Sequence, residues 1–429
     1  MAATTGSWIT TTEAAQRLGV KRATLYAYVS RGLLRSERRP GQQESLFDRG
    51  QIDAMASATR PPGGPQPVLR FRSIATSVSS QVEGELHYRG RPLHDVVALG
   101  SFEEAAAVVL GTAVLPSDSG TSTVEGAGGI GGAGGAAGVR GFGGVADLSA
   151  LPLERRMPVA VQLLAAADPF ASDTDPERVR AAAVPTLRAA VGLAAGFALA
   201  PAKGLRSGDL SGDRAPVGAL SPDLPPDLAA LTLAALGGSP SSPGDVAALR
   251  VLLVALLDHG LTASTVAARV TASTRAGLHD CLSAAYAAMA GPLHGAAPVA
   301  AHALLTDGVD PATLVARSLR ERGGVAGFGH FLYPDGDPRA DVVLESLWRR
   351  RGTTRLRRRV EALAALVAER TGALPNIDLA SAAVLHALRL PAESGEVVFQ
   401  VARSVGVAAH VAEEYAEEPL RWRGRDPQG

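Results

Sequence analysis

Apolar residues recur at spacings of three and four along most of this chain, and that period predicts α-helices. Residues 227–257 and 355–370 repeat Ala, Leu and Val in this way, without the alternation expected of strands. Aromatic residues make up only 4% of the 429 residues, which favours closely packed helices over sheets. We therefore predict an all-α body, with strands confined to about the first 90 residues.

The overall composition excludes several classes of protein. The 42 Lys and Arg residues balance the 42 Asp and Glu residues, so the whole chain has no field that attracts nucleic acid or an acidic membrane. The single cysteine, Cys281, excludes an intramolecular disulfide and a multi-cysteine metal site. No stretch approaches the ~20 apolar residues of a membrane span, and residues 1–7 lack a signal pattern. We expect a cytoplasmic protein with local anion sites.

The first 60 residues form a separate unit, followed by a Pro- and Gly-rich linker at 61–67. Thr10 and Glu13 form a capping box, Gly19 ends the first helix, and a second helix follows over 23–30. Two short segments around Pro40 then have the pattern of a hairpin wing. Residues 8–56 resemble the winged helix-turn-helix domain of MerR-like and excisionase-like proteins.

This resemblance implies DNA binding by the N-terminal unit. Residues 1–60 hold nine basic and five acidic side chains, a modest excess. The second helix would enter the major groove, with the wing beside it. The phosphate contacts would come from Lys21, Arg22, Arg38 and Arg39. A helical appendage used for protein contacts is the alternative.

A glycine-rich segment interrupts the helical pattern. Residues 126–144 contain eleven glycines in nineteen positions and include a literal match to the dinucleotide fingerprint GxGxxG. No strand precedes this match and no useful helix follows it, so composition alone explains it. We predict a flexible insertion over 117–147 and a second exposed loop over 200–225.

Titratable residues concentrate in the last third of the chain. Seven of the nine histidines follow residue 258, and three nearby segments are broken by Gly or Pro: 291–295, 327–339 and 375–378. Such breaks let a side chain project into a cleft. Four of the seven histidines fall inside helical patterns and are expected in the core or on the surface: His279, His302, His386 and His410. The other three are His259, His294 and His330. With a carboxylate and an arginine from the three segments, they are the groups needed to form and stabilise a carbanion beside a carbonyl.

The blocks that hold these groups resemble, in order and spacing, those of citrate synthases. They are 85–104, 258–265, 291–295, 327–339, 376–378 and 401–404, within a resemblance that spans about 68–425. It implies a large helical domain over 68–280, a small domain over 281–390 that closes over substrate, and a return to the large domain over 391–429.

The resemblance also implies an acyltransferase whose acyl group becomes alkyl on transfer. Acetyl-CoA would be a substrate, with no permanent cofactor and no metal. Asp378 would take the methyl proton, His294 would donate to the thioester oxygen, and His330 would hydrogen-bond the ketone of oxaloacetate. His259 would help to hold oxaloacetate. Its carboxylates would bind two arginines, Arg339 and Arg403.

Further groups implied by the family lie outside this set. An arginine from the partner subunit completes such sites; Arg421 is the best match and Arg423 the second, so the active unit would be a homodimer. CoA would lie along a glycine loop formed by Gly327, Phe328 and Gly329.

Three functions remain open from the sequence. Citrate synthase and 2-methylcitrate synthase use the same groups and differ by one methylene in the acyl donor. A DNA-binding metabolite sensor built on the same body is the third, although a sensor would not need the base Asp378. Departures from the family pattern at Gly260, Thr262, Ala296, Phe331 and Leu332 remove no catalytic group, but could change CoA contacts or acyl preference.

Overall fold

In a computed structural model, the chain folds into a small N-terminal domain and a large helical body. The structure describes residues 8–30, 32–38, 44–59, 74–113, 148–197, 225, 227–306 and 308–422. The predicted linker, the glycine-rich insertion, most of the loop at 200–225, Arg39 and Arg423 lie outside the described residues. The prediction of an all-α body is confirmed.

The N-terminal domain packs three helices against a small antiparallel sheet. Its helices are α1 (Thr11–Leu18), α2 (Arg22–Ser30) and α3 (Arg49–Thr59). Its strands, β1 (Trp8–Thr10), β2 (Ser36–Glu37) and β3 (Leu46–Asp48), pair in the order β1-β3-β2.

Local sequence explains this domain well. The capping box of Thr10 and Glu13 starts α1, and Gly19 ends it at a φ of +67°, a left-handed conformation that glycine adopts without strain. Leu25, Phe47 and a third predicted residue, Ile52, are fully buried in its core. Strand β1 and helix α3 were not predicted.

The body begins with a hairpin and continues as helices. Its strands are β4 (Ser79–Val82), β5 (Glu85–Tyr88) and β6 (Arg91–Pro92), paired in chain order. The first helices are α4 (Leu93–Ala98), α5 (Phe102–Leu110), α6 (Leu153–Ala167), α7 (Pro176–Ala194), α8 (Leu228–Ala235), α9 (Pro243–Ala255) and α10 (Ala263–Ser273). The remaining helices are α11 (Leu278–Met289), α12 (Ala297–Thr306), α13 (Pro311–Arg322), α14 (Pro338–Trp348), α15 (Thr354–Thr371), α16 (Ile377–Leu388) and α17 (Ser394–Tyr415).

Helix α17 lies at the centre of the body. It has 22 residues, nearly all of them buried, and contacts helices from both predicted domains of the body. One continuous hydrophobic core extends from Val78 to Tyr415. Helix α11 runs through residue 280, where the sequence placed a domain boundary, so the division into a large and a small domain stays a prediction. Among the described helices, none has both the length and the apolar composition needed to span a membrane.

Candidate active site

A cleft of about 530 Å³ opens on one side of α17. All six ionisable residues predicted for catalysis or oxaloacetate binding within one chain line it together: His259, His294, His330, Arg339, Asp378 and Arg403. Its floor is defined by the buried polar side chains that line it, which are His330, Arg339, Asn376 and Arg403. Its rim is defined by exposed residues, which include Leu261, Pro292, Leu293, Arg322, Phe331 and Leu332.

Four helices begin at this cleft. The first turns of α10, α12, α14 and α16 each contribute lining residues. The unpaired backbone N–H groups and the dipole of a helix N-terminus attract negative charge. Together with two buried arginines on the floor, these four N-termini make the cleft suited to a small dianion.

Two histidines and a tyrosine meet at one wall. The ring centroids of His259 and His330 are 5.2 Å apart, and Nε2 of His259 lies 2.9 Å from the hydroxyl of Tyr333. Burial raises the pKa of Tyr333 to about 12, so its phenol stays neutral. The backbone N–H of Leu332 donates to Nδ1 of His330 over 3.1 Å, so a neutral His330 carries its hydrogen on Nε2. Tyr333 was not identified from the sequence, although it follows His330 by three residues.

His294 lies in the turn that precedes α12. Its Nε2 is 2.8 Å from the hydroxyl of Ser264, a buried residue in the first turn of α10. The ring is therefore fixed by a second helix that begins at the cleft. The sequence placed His294 correctly at a helix start, but Ser264 was not singled out.

An ion pair on the floor holds Arg339. Asp337 accepts hydrogen bonds from Nε and Nη2 of Arg339 over 2.9 and 2.8 Å, and from the backbone N–H of Ile377 over 3.0 Å. Although burial alone would raise the pKa of Asp337, the Arg339 guanidinium lowers it. Asp337 thus joins the start of α14 to the start of α16, which carries Asp378.

Arg403 has a different environment on the same floor. It is 1% exposed, and its Nε donates to the carbonyl of Leu256 over 3.1 Å. A second nitrogen, Nη1, lies 3.4 Å from the hydroxyl of Thr262. Burial lowers the pKa of Arg403; Asp258 acts against that change and Arg339 adds to it. A substrate carboxylate would stabilise this guanidinium.

Asp378 occupies the first turn of α16. Asn376 caps this helix, and its side-chain oxygen accepts from the backbone N–H of Asp378 over 2.9 Å. The N-terminal end of a helix dipole favours a negatively charged side chain. An aspartate side chain therefore suits this position at the start of α16.

A buried polar network supports the turn that carries His259. Asp258 accepts from the hydroxyl of Ser79 over 2.5 Å, and its other oxygen lies 3.2 Å from Nε2 of His410 on α17. Although burial would raise the pKa of Asp258, His410, Arg403 and Ser79 lower it to about 2. The sequence placed His410 in a helix, which is confirmed, but its contact with Asp258 was not anticipated.

The predicted CoA loop is joined to the start of α16. The backbone N–H of Gly329 donates to the carbonyl of Leu374 over 2.7 Å, and the side chain of Asn376 donates to the carbonyl of Gly329 over 2.9 Å. Gly327 lines the cleft, whereas Phe328 is buried and 2% exposed.

Arg421 is held within its own chain. Its guanidinium donates to Glu414 and lies 3.1 Å from Glu417. It does not line the cleft of the same chain. Its role in a partner's site stays a prediction.

The predicted DNA contacts are partly engaged elsewhere. Lys21 forms an ion pair with Asp335 of the body over 2.9 Å, and Arg22 forms one with Glu44 over 2.7 Å. Arg38 lies next to β2, in the wing. Their role on DNA stays a prediction.

Two family models match the chain. The model described as the citrate synthase C-terminal domain matches residues 69–423. The chain belongs to the citrate synthase family. A helix-turn-helix domain model matches residues 8–60, which confirms the interpretation of the N-terminal domain.

Curated relatives of this citrate synthase family member carry two names. Over 175 residues it is 34% identical to a citrate synthase of Haloferax volcanii, covering 39% of this chain and 46% of the relative. Over 172 residues it is 34% identical to a 2-methylcitrate synthase of Shewanella oneidensis, covering 38% and 45%. The matched region therefore spans about half the length of these relatives.

Solved structures share the fold at lower identity. A citrate synthase of Thermoplasma acidophilum, in a ternary complex with carboxymethyl coenzyme A and oxaloacetate, aligns with a TM-score of 0.59 and 21% identity, over 83% of this chain and 93% of that one. A citrate synthase of Thermotoga maritima aligns with a TM-score of 0.57 and 20% identity, over 84% and 94%. These matches establish the helical fold of the body.

Proposed function

We propose that this protein condenses acetyl-CoA with oxaloacetate and hydrolyses the resulting thioester. Acetyl-CoA, oxaloacetate and water would give citrate, the free thiol of CoA and a proton. One observation carries the proposal: a carboxylate, three histidines and two buried arginines line a single cleft.

Oxaloacetate would bind on the floor. Its two carboxylates would contact Arg339 and Arg403, whose planar guanidinium groups suit carboxylates. Arg403 supports this assignment because its side chain donates to a carbonyl and a hydroxyl rather than to a carboxylate in the contacts given above. The Nε2–H of His330 would then donate to the ketone oxygen and polarise the carbon that is attacked.

The acyl donor would react between Asp378 and His294. Asp378 would remove a proton from the methyl group, and His294 would stabilise the enolate by donating to the thioester oxygen. In this proposal the hydroxyl of Ser264 would donate to Nε2 of His294, which lies 2.8 Å away, and the Nδ1–H would be the group that donates to the thioester oxygen. The enolate carbon would attack the ketone, forming the carbon–carbon bond, and the oxygen of the former ketone would take a proton. Water would then release the thiol of CoA.

Two further assignments belong to this proposal. CoA would pass the loop of Gly327, Phe328 and Gly329, and Arg421 of a partner subunit would complete the site of a homodimer. Membership of the citrate synthase family supports both assignments.

The test is release of the CoA thiol from acetyl-CoA with and without oxaloacetate. We expect release only when both are present, and we expect Asp378→Asn to lower kcat by at least about a hundredfold while oxaloacetate still binds. Asp280→Asn, an exposed change in α11 outside the cleft, is the matched control and should keep wild-type rates. A purified wild-type protein that binds oxaloacetate but releases no thiol would refute the proposal.

A 2-methylcitrate synthase is the second candidate, because a relative with that name matches at the same 34% identity as a citrate synthase. The extra methylene of propionyl-CoA changes binding by only ~1–3 kcal/mol. Comparing kcat/KM for the two donors in the same assay decides between them.

A DNA-binding metabolite sensor is the third candidate. The observation that favours it is the contact between Lys21 of the helix-turn-helix domain and Asp335 of the body. A sensor requires duplex binding that weakens with added salt. Full-length protein that gives no salt-dependent shift of a mixed-sequence duplex, with or without substrates, would exclude it.

A further inference from the structure

Helix α2 of the helix-turn-helix domain has two buried faces. Leu25 and Val29 face the core of their own domain. Ala23, Ala27 and Ser30 recur at a spacing of four and three, on the opposite side of the helix. In a helix-turn-helix, the side of the second helix that faces away from the domain core is the side that enters the major groove.

This outward face is packed against the body. A Cβ atom added at Gly329 would lie 3.0 Å from Cβ of Ala27, and one added at Gly324 would lie 2.9 Å from the backbone nitrogen of Ser30. Real Cβ atoms essentially never lie closer than 3.0 Å to another heavy atom. Glycine at these two positions therefore permits the close approach of α2 to the body. Ala27 is only 1% exposed as a result. The packing covers the DNA-reading side of α2.

The contact is suited to reversible docking. Its ion pair, between Lys21 and Asp335, is largely exposed, with side-chain exposures of 66% and 84%, and such pairs contribute little. Other close approaches across the contact have a glycine on one side, which has no side chain to bury: Gly323 lies beside Val29 and Ser36, and Gly32 lies beside Leu293.

The docked helix also lies at the mouth of the cleft. Ser30 and Gly324 line the cleft, next to the exposed rim residues Arg322 and Leu293. A thioester that reacts between Asp378 and His294 has to extend its long pantetheine arm and its nucleotide past this rim. The same space is occupied by the C-terminal end of α2.

We propose that docking of α2 on the body and binding of an acyl-CoA exclude each other. This inference rests on the proposed function, which brings a CoA thioester into the cleft. Docking is then an autoinhibitory contact, and the acyl donor displaces the helix and exposes its DNA-reading face. The apparent association constant for CoA then equals the intrinsic constant multiplied by the fraction of molecules in which α2 is undocked.

The central test measures CoA binding by calorimetry in full-length variants. Ala27→Arg places a long charged side chain where Ala27 meets Gly329, without touching the domain core. We expect about tenfold tighter binding of CoA, the change produced when about 90% of wild-type molecules are docked. Gln16→Arg, which adds the same charge on the exposed side of α1, is the control and should bind like wild type.

A second variant guards against misfolding of the N-terminal domain. Asp335→Lys leaves the domain unchanged and replaces its ion pair with Lys21 by a repulsion. We expect a tightening of about two- to fivefold. Hydrogen exchange in wild-type protein gives an independent readout: saturating CoA should reduce the protection of amides 22–30.

The outcomes separate this inference from the proposed function. Equal CoA affinity in wild type, Ala27→Arg and Asp335→Lys, with protection of amides 22–30 unchanged by CoA, would overturn the exclusion even if the enzyme turns over. Failure of every variant to bind CoA, Ala27→Arg included, would overturn both.

Discussion

Replacing Asp337 with asparagine tests how the floor of the cleft is held together. The carboxylate is 1% exposed and accepts hydrogen bonds from the backbone N–H, Nε and Nη2 of Arg339 and from the backbone N–H of Ile377. Asparagine has one acceptor oxygen, and its NH₂ group would face donors. The change also leaves the guanidinium of Arg339 buried without its partner.

The expected loss of stability is large. Breaking a buried ion pair from one side typically costs ~3–5 kcal/mol, because an uncompensated charge remains. We expect Asp337→Asn to lower the free energy of unfolding by this amount in urea at pH 7.5. Oxaloacetate should bind about tenfold more weakly or worse, because Arg339 loses the group that orients it.

The control lies one turn further along α14. Burial of its own carboxyl group and the charges of Asp337 and Glu345 raise the pKa of Asp341, so its charge is mildly unfavourable. Asp341→Asn should therefore leave stability unchanged or slightly higher. The reasoning from charge burial is wrong if two results are found together: the free energies of unfolding of Asp337→Asn and the control differ by less than ~1 kcal/mol, and Asp337→Asn binds oxaloacetate normally.

The pH dependence of this difference has a defined sign. The folded-state pKa of Asp337 is lowered, so its contribution is fully present above its usual value of ~3.9 and is lost as the pH falls through the folded value. The difference between wild type and Asp337→Asn should be constant from about pH 8 to 5 and shrink only below about pH 4.

Two other predictions concern the turn at His259 and the dimer. Gly406→Ala would bring a Cβ within 2.4 Å of the carbonyl oxygen of Leu257, so we expect this turn to shift and KM for oxaloacetate to rise several-fold; an unchanged KM would contradict the close packing. Mixing Asp378→Asn subunits with Arg421→Ala subunits should restore up to about a quarter of wild-type activity, because half of the dimers are mixed and one of their two sites is intact. No recovery after verified subunit exchange would remove Arg421 from the partner's site.

Features encoded over a few residues were predictable from the sequence. The capping box at Thr10 and the left-handed glycine that ends α1 are local, as are the Gly and Pro breaks around His294 and His330. Strand β1 was missed because three residues are too few for a period-2 pattern to emerge.

Long-range contacts were not predictable in the same way. Asp258 and His410 lie far apart in the sequence, and nothing in either segment indicates that helix α17 places His410 next to Asp258. The docking of α2 was hidden for another reason. Ala23, Ala27 and Ser30 are neutral, small residues that suit a solvent-exposed helix face as well as a close contact, and only the glycines opposite them distinguish the two.

The division of the cleft into floor and rim implies that the two substrates depend differently on the N-terminal domain. Oxaloacetate would need the floor, where Arg403 is buried and gains most from a carboxylate, together with His259. None of these residues is among those that meet α2 in the contacts described for it. The acyl donor would need the rim, where Ser30 lies. A change that releases α2 should therefore lower KM for the acyl-CoA and leave that for oxaloacetate unaltered, which separates control by docking from a general change in the stability of the cleft.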